Sequence, residues 1–536
     1  YISISSFSQK LYLPSSSLKD SSTLHSSLAL LSKQVIKTYK EENKQTYLDN
    51  LLRFEIVAQE YEKSLLTLDT LRNFYTQSSP QLAPVISFNF QLFSKAKLYQ
   101  LKTGKSFEES YKAVLADIGG NLTENQINIA GNYFETEIGP LQNEFNKLLK
   151  KQSATDSISV KDAKQLCIAY LNVVVAKNSI PAGKPFFTEL EKKFYIVEEK
   201  VAIKMKDGAS LQATIVRSKM NTSPLPAILN FNIYIGARDK TIAKMAAVNG
   251  YVGIVVNTRG KGLSPQEIEP FEKDAADAYE IIDWISKQAW CNGKVGMYGG
   301  SYLGFSQWAA TKNLHPALKT IVPQVSVGIG IDYPMQNNVF MSYMLRWIHF
   351  VSNSKQTDNA DFENEEHWNH TFANWYKTGK AFKNLDSIEG RQSPIFQRWL
   401  KHPAHDSYWQ NMVPYKTDFS SIIITILHTT GYYDDDQLGA MYYYKEHLTY
   451  NPAANHTLLI GPYDHPGGQG YPVSELNGYK IDPVANINIR ELTFKWFDYI
   501  LKDSIRPAIL KDKVNYQVMG TNTWKHTPAL HNICND

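Results

Sequence analysis

Three groups of side chains, far apart in the chain, have the types and the order needed to make a hydroxyl attack a carbonyl. The first is Ser301 in Lys294-Val-Gly-Met-Tyr-Gly299-Gly300-Ser301-Tyr302-Leu303-Gly304, where an apolar run meets a glycine-rich turn and helical spacing begins. A serine on a sharp strand-to-helix turn needs small neighbours, and the helix after it turns N–H groups without intrahelical acceptors toward a developing oxyanion. A serine hydroxyl is a poor nucleophile until a base takes its proton, so this reading requires a downstream acid and histidine. They are Asp434, in His428-Thr-Thr-Gly-Tyr-Tyr-Asp434-Asp435-Asp436, and His465, in Gly461-Pro-Tyr-Asp464-His465-Pro466. The bland account is an incidental serine in a glycine loop, a solvated run of Asp and one of 13 histidines. The coincidence of all three in one order argues against it.

The elements that must position these residues are legible from periodicity. Residues 25 to about 180 carry helical spacing almost without a break, as in Leu48, Leu51, Leu52 and Ile56 followed by Tyr61, Leu65, Leu68 and Leu71. Pro and Gly cluster at Ile180-Pro-Ala-Gly-Lys-Pro185, which reads as a linker. Beyond it, apolar and polar residues alternate on both sides of Asp207-Gly208, a hairpin signal. Short apolar runs at Ala227–Asn230, Val252–Asn257, Val295–Tyr298, Thr320–Pro323, Ile422–Leu427 and Thr457–Ile460 then alternate with amphipathic stretches. That pattern predicts an α/β core with a parallel sheet covered on both faces. An aromatic-rich insertion at about 330–415 is too long for an ordinary connection and is read as a helical cap over the sheet's carboxyl edge. Ser301, Asp434 and His465 each fall at the carboxyl end of a predicted strand, where open α/β sheets gather their ligands, and their order is that of an α/β-hydrolase. The chain is thus divided into a helical domain at 1–190 and a hydrolase domain at 191–512.

Bulk properties exclude other classes. With 536 residues, 43% of them hydrophobic and 20% charged, the chain has material for more than one packed core and is not disordered. A formal charge of +4 gives no electrostatic footprint for nucleic acid or a membrane surface. The longest uninterrupted apolar runs, such as the one at 421–427, fall short of the roughly 20 residues of a membrane span. Cys167, Cys291 and Cys534 are too few and too scattered for a disulfide framework or a Cys-rich zinc site. Glu365-Glu366-His367-Trp-Asn-His370 invites a metal reading, but no further ligand stands at a telling spacing. These are read as surface helix residues, and no metal or other cofactor is expected. The Ser-rich opening without Met fits either a removed leader or a chosen start point.

Taken together, Gly299-Gly-Ser-Tyr-Leu-Gly304, Asn257-Thr-Arg259-Gly260-Lys-Gly262-Leu-Ser264, Asp283-Trp284-Ile285, Trp290-Cys-Asn292-Gly293, Gly431-Tyr-Tyr-Asp434 and Gly461-Pro-Tyr-Asp-His465 resemble the X-Pro dipeptidyl-peptidase and cocaine esterase group of serine hydrolases. Within it the chain looks most like the α-amino acid ester hydrolases, over about residues 195–525. The resemblance implies Ser301 as nucleophile, His465 as general base and acid, and Asp434 as the residue that orients the histidine. It implies an oxyanion hole from the Tyr302 main chain and the Tyr234 hydroxyl, although Ile233 stands where the family more often has Pro. It also implies a carboxylate cluster for the substrate's α-ammonium group. Asp332 and Asp436 match, while Gln437 occupies a position where the family has an acid. Arg259 is read as scaffold, paired with a helix carboxylate such as Asp277. Trp368 and Trp375 are candidates either for an acyl pocket or for ordinary packing.

The activity implied is hydrolysis or transfer of α-aminoacyl groups from small esters or amides. An X-Pro dipeptidyl-peptidase, a plain carboxylesterase and an inactive hydrolase-fold binding protein are the alternatives. The resemblance implies a periplasmic or secreted location, with the cytoplasm as the alternative, and a homo-oligomer is compatible with it. Relatives carry a C-terminal β jelly-roll, and only about 25 residues follow Lys511 here. Residues 513–536 are therefore expected to be the truncated start of that sandwich, in a fragment or in a chain that lacks it.

Overall fold

The computed structural model describes residues 10–18, 21–78, 80, 82–152, 155–236, 238–470 and 472–535. The serine-rich opening up to residue 9 lies outside them. The chain divides into two compact units, Tyr1–Phe194 and Tyr195–Asp536.

In the first unit the periodic stretches form α1 (Ser21–Thr38), α2 (Lys44–Val57), α3 (Tyr61–Ser78), α4 (Phe88–Thr103), α5 (Phe107–Gly119), α6 (Glu124–Tyr133), α7 (Ile138–Gln152) and α8 (Val160–Phe194). Capping boxes at Ser106/Glu109 and Thr123/Gln126 start α5 and α6 by satisfying their first N–H groups. The expected linker at 180–185 is instead the interior of α8, which contains Pro181 and Pro185. Each proline removes a helical hydrogen bond, but packing around them keeps the helix. Ile180 and Phe187 are both buried, and the Phe187 ring stacks on Phe134 at 4.7 Å. The expectation that no stretch reaches the length of a membrane span does not extend to α8. Its 35 residues include a window of mean hydropathy 1.2, long and apolar enough by length and composition. In the fold it is the spine of this unit: Leu166, Cys167, Val175 and Ala176 are buried in two adjoining cores.

The second unit is built on one ten-stranded mixed sheet. Its strands are β1 (Tyr195–Lys204), β2 (Ser210–Ser218), β3 (Leu225–Asn232), β4 (Val252–Asn257), β5 (Cys291–Ser301), β6 (Leu318–Ser326), β7 (Thr425–Tyr433), β8 (His456–Asp464), β9 (Val514–Val518) and β10 (Thr523–Thr527). Their spatial order is β10-β9-β8-β7-β6-β5-β3-β4-β2-β1. The strands from β4 to β9 run parallel, and β1, β2 and β10 pair antiparallel. β3 and β4 are buried along almost their whole length, which is why they read as continuous apolar runs. Helices α9 (Asp239–Val248), α10 (Asp274–Ser286), α11 (Tyr302–Lys312), α13 (Gln437–Tyr450) and α14 (Ile489–Leu501) cover the sheet. At Gly253 the backbones of α9 and β4 come so close that a Cβ would lie 1.8 Å from the Ala243 carbonyl oxygen.

Residues 327–424 connect β6 to β7 and contain α12 (Tyr343–Ser352), a longer helix at Glu365–Thr378 and several short ones. The C-terminal residues depart from expectation. β9 pairs parallel with β8, and β10 pairs with β9, so both extend the ten-stranded sheet rather than begin a separate sandwich. Val514 is buried, and β9 meets an already paired partner on one side, which makes the existing sheet edge the place where its N–H and C=O groups are satisfied.

Candidate active site

The strand-turn-helix at Ser301 forms as its sequence suggests. β5 ends on Ser301, whose backbone has φ 61° and ψ −122°, and α11 begins at Tyr302. A positive φ in a non-glycine residue is a local strain held in place by its surroundings. The small neighbours are needed for close approach. A Cβ on Gly300 would lie 2.1 Å from Gln469 Oε1, and one on Gly304 would lie 2.8 Å from Ser326 Cα, where α11 packs on β6. The first N–H groups of α11 have no intrahelical acceptor, so the Tyr302 N–H is open to an oxyanion at Ser301. The Tyr302 side chain is buried. Its hydroxyl donates to Asp274 Oδ1 at 2.8 Å and accepts the Phe271 N–H at 3.2 Å, while burial pushes the Asp274 carboxyl up to about 8.

Tyr234 follows β3, and its N–H is fixed by Asn232 Oδ1 at 2.8 Å. Its hydroxyl lies beside the Ser301 side chain and accepts Trp347 Nε1–H at 3.0 Å. Burial raises this phenol above its usual range, so it is a protonated donor at neutral pH. Ile233, the departure from the family pattern, is wholly buried and does not displace Tyr234 from the serine.

Asp434 and His465 leave the carboxyl ends of β7 and β8. His465 Nδ1 lies 2.8 Å from Asp434 Oδ1, and Asp434 also accepts the Thr430 hydroxyl at 2.7 Å and the Asp436 N–H at 3.1 Å. Those bonds hold the carboxylate in one orientation, and with it the imidazole. Burial alone would lower the His465 pKa. The hydrogen bond to Asp434 and the charges of Asp436, Asp434 and Asp435 outweigh it, so the imidazole is held above its ordinary value. Asp436 Oδ2 is 3.7 Å from His465 Nδ1, and its carboxyl is pushed up to about 7 by burial, against the pull of the histidine.

Ser301, Tyr234, Asp332, Asp435, Asp436 and His465 share the wall of one cavity of about 1040 Å³. Asp332 is 3% exposed, and its two oxygens accept backbone N–H groups of Gly328 at 2.8 Å and Gly439 at 2.5 Å. Burial, then the Asp436 charge, raises its carboxyl well above the usual range despite those bonds. It therefore joins the turn after β6 to α13 as well as facing the cavity. Gln437 turns its amide back to the Gly431 carbonyl at 2.8 Å.

Other expected residues fall away from the cavity wall. Arg259 pairs bidentately with Asp277 at 2.6 and 2.7 Å and also with Asp207 at 2.6 Å. The turn it belongs to holds the insertion in place. Lys261 is wholly buried, and its ammonium donates to the carbonyls of Val351, Ser354 and Gln356 at 2.7, 3.2 and 3.0 Å. Trp368 is buried with its indole N–H on the Asp361 carbonyl, and Trp375 donates to the Lys380 carbonyl. Trp347 on α12 is the tryptophan that reaches the cavity. His367 bonds Glu389 at 2.9 Å, and among the described residues no group of three or more His, Cys, Asp or Glu is arranged to hold a metal. Trp347 and Gln469, whose Nε2 donates to the His465 carbonyl at 3.0 Å, had no local signal. Both act through contacts made across the fold.

Residues 207–467 match the family described as X-Pro dipeptidyl-peptidase (S15 family). Over 359 residues the chain is 25% identical to the cocaine esterase of Rhodococcus sp. (strain MB1 Bresler), a match covering 62% of this chain and 59% of the esterase. Among solved structures, an aminopeptidase from the marine sediment archaeon Thaumarchaeota archaeon aligns with a TM-score of 0.52 at 21% identity, covering 62% of this chain and 59% of that one. An α-amino acid ester hydrolase aligns with the same TM-score at 22% identity, covering 62% and 58%. At such identities the two structures are alike in fold. The chain spans about three fifths of the length of these relatives. Ser301, Asp434 and His465 all lie inside the region that matches the X-Pro dipeptidyl-peptidase (S15) family.

Proposed function

We propose that this chain is a serine hydrolase or acyltransferase that takes α-aminoacyl groups from small esters or amides through an acyl-enzyme on Ser301. The observation that carries the reading is the convergence, on one cavity, of Ser301, a histidine held by a buried aspartate, and further carboxylates. Ser301 Oγ forms a bond to the acyl carbon while His465 takes its proton. The oxyanion is held by the Tyr302 N–H and the Tyr234 hydroxyl. The bond to the leaving group then breaks, with the proton passing from His465 to the departing oxygen or nitrogen. Water, or an acceptor amine, repeats the sequence in reverse to release the acyl group. Asp436 and Asp332 supply carboxyl groups that the substrate's α-ammonium draws into the charged form, and the 327–424 insertion acts as the cap that carries Trp347 and Tyr343 to the site.

Alanine methyl ester, its N-acetyl form and an X-Pro anilide separate the readings. The free amine is expected to exceed the N-acetyl ester roughly 10- to 100-fold in kcat/KM, the worth of a charge-assisted contact. Equal turnover of both would remove the carboxylates from recognition and leave a plain esterase. The family description of residues 207–467 favours a second reading, cleavage after X-Pro, which preferential turnover of the anilide would establish.

The pH profile gives a further check. His465 must be neutral to accept a proton, and its pKa is held above 6.5, so kcat/KM is expected to rise with pH through a limb above that value. Asp436→Asn removes one of the charges that raise it. The limb should then move to lower pH; a limb that stays in place separates Asp436 from the histidine.

A further inference from the structure

The cavity that holds Ser301 has a wall beyond the triad and the carboxylates. Its far wall is formed by Asn230, Tyr298 and Gln324, from the adjacent strands β3, β5 and β6, and is bounded by Arg238 and Arg490. Arg238 immediately precedes α9, and Arg490 lies in the first turn of α14. The Arg490 guanidinium comes within 3.9 Å of where a Cβ on Gly470 would lie, close to the loop that carries His465 and Gln469. Gly299 and Gly300 also line the cavity, with Leu303 packed against the first and Gln469 against the second.

Charge is therefore segregated along the cavity. Every carboxylate in its wall, Asp332, Asp435 and Asp436, follows β6 or β7, whereas both guanidinium groups come from α9 and α14. The surrounding phenols register the same division: Asp436 bears on Tyr234, Tyr333 and Tyr343, and Arg490 bears on Tyr298. A volume of about 1040 Å³ is at the upper end for a small-molecule site, enough for both halves of a substrate rather than an acyl group alone. A guanidinium has five N–H donors in a planar fork that matches a carboxylate.

We infer that the end of the cavity bounded by Arg238 and Arg490 binds a carboxylate on the group that leaves the acyl carbon. The substrates are then zwitterions, short peptides or aminoacyl derivatives whose leaving group is itself an acid such as a free amino acid. This rests on the proposed acyl-transfer reading for which side is acyl and which is leaving group, but the binding site itself does not need turnover to be seen. In cleavage of such a peptide the C–N bond breaks, the leaving nitrogen takes its proton from His465, and the departing amino acid keeps its carboxylate at the guanidinium groups. In the reverse direction the same end would select acceptor amines that carry a carboxylate.

The test uses the full chain with Ser301→Ala, so that nothing is consumed, and calorimetric titration with L-alanyl-L-alanine and L-alanyl-L-alaninamide. The two ligands differ only in carboxylate against carboxamide. The dipeptide is expected to bind roughly 10- to 100-fold more tightly, and the difference should fall below about threefold when Arg238→Gln and Arg490→Gln are added to the same background. Equal affinity, tighter binding of the amide, or a preference that survives loss of both guanidinium groups overturns the inference. Turnover of alanine methyl ester by the unsubstituted protein reports separately on the proposed reaction.

Discussion

Replacing Ser301 by Ala is expected to lower kcat for alanine methyl ester by about 10⁴-fold or more, and to abolish labelling by a fluorophosphonate probe that marks the unsubstituted protein. The argument is geometric. Ser301 is the one hydroxyl held at the strained end of β5, with the α11 N-terminus beside it and the Tyr234 hydroxyl on its side chain. Ala keeps the packing of the turn, because the positive φ is imposed by β5 and α11 on either side of it. The melting temperature should therefore move by no more than a few degrees. His465→Ala is expected to cost a similar factor, and the double variant little more than either alone, since the two act on one proton. A rate within tenfold of the unsubstituted protein for either single variant would remove that residue from the mechanism. An unsubstituted protein that takes no probe would leave the hydrolase fold as a binding scaffold.

The second large effect is on stability. His428, His447 and His456 meet in the core of the second unit around Trp308, with the His456 ring centroid 5.7 Å from that of His428 and 5.1 Å from that of His447. Their hydrogen bonds fix the tautomers. His447 Nε2–H donates to the Ile422 carbonyl at 3.0 Å, so its Nδ1 accepts from His456 Nδ1–H at 3.1 Å. Among the described residues, His456 Nε2 and His428 Nδ1 then have no hydrogen-bond partner. A second proton on any of the three would place a buried cation beside two more imidazoles. Burial accordingly lowers all three pKa values, that of His428 to about 3.

Below pH 6.5 the unfolded chain binds protons at these positions that the folded chain refuses, so their contribution is complete above 6.5 and is lost as pH falls. His428 alone costs about 1.4 kcal/mol for each pH unit between 6.5 and about 3. Asp274, Asp332 and Asp436 act in the opposite sense, because their raised pKa values favour the folded state once they protonate. With a total stability of about 5–15 kcal/mol, the histidines should still bring acid unfolding of this unit within reach of about pH 4 to 5. The signal to follow is tryptophan fluorescence. His428→Leu, which cannot take the proton, should move the midpoint to lower pH. A midpoint that stays put or rises would exclude the histidine core as the cause.

What could be read from the sequence was what local physics determines. The elbow at Ser301 needs a strand, two glycines and a helix start within a dozen residues, and all are contiguous. The alternation of apolar runs with helical spacing gave the parallel sheet for the same reason. The linker reading at 180–185 failed because Pro and Gly were weighed by their own preferences, whereas the helix there is held by the Phe134–Phe187 stack across the unit. The C-terminal pair was visible as two strands, but not which sheet they would join, since pairing partners are a matter of distant register. The buried histidines were the hardest to see. His428 stood in the most informative motif of the region, and nothing around it in the chain says that two others converge on it.

The grip of Lys261 on the insertion has a consequence for how such a site can diversify. It holds three main-chain carbonyls, and the Gly262 N–H holds a fourth, that of Lys355. Every residue type offers a carbonyl, so the latch does not depend on which side chains the roof of the cavity presents. Substitutions that recut the pocket leave the fastening intact, and the roof can be exchanged for another without relearning how to dock.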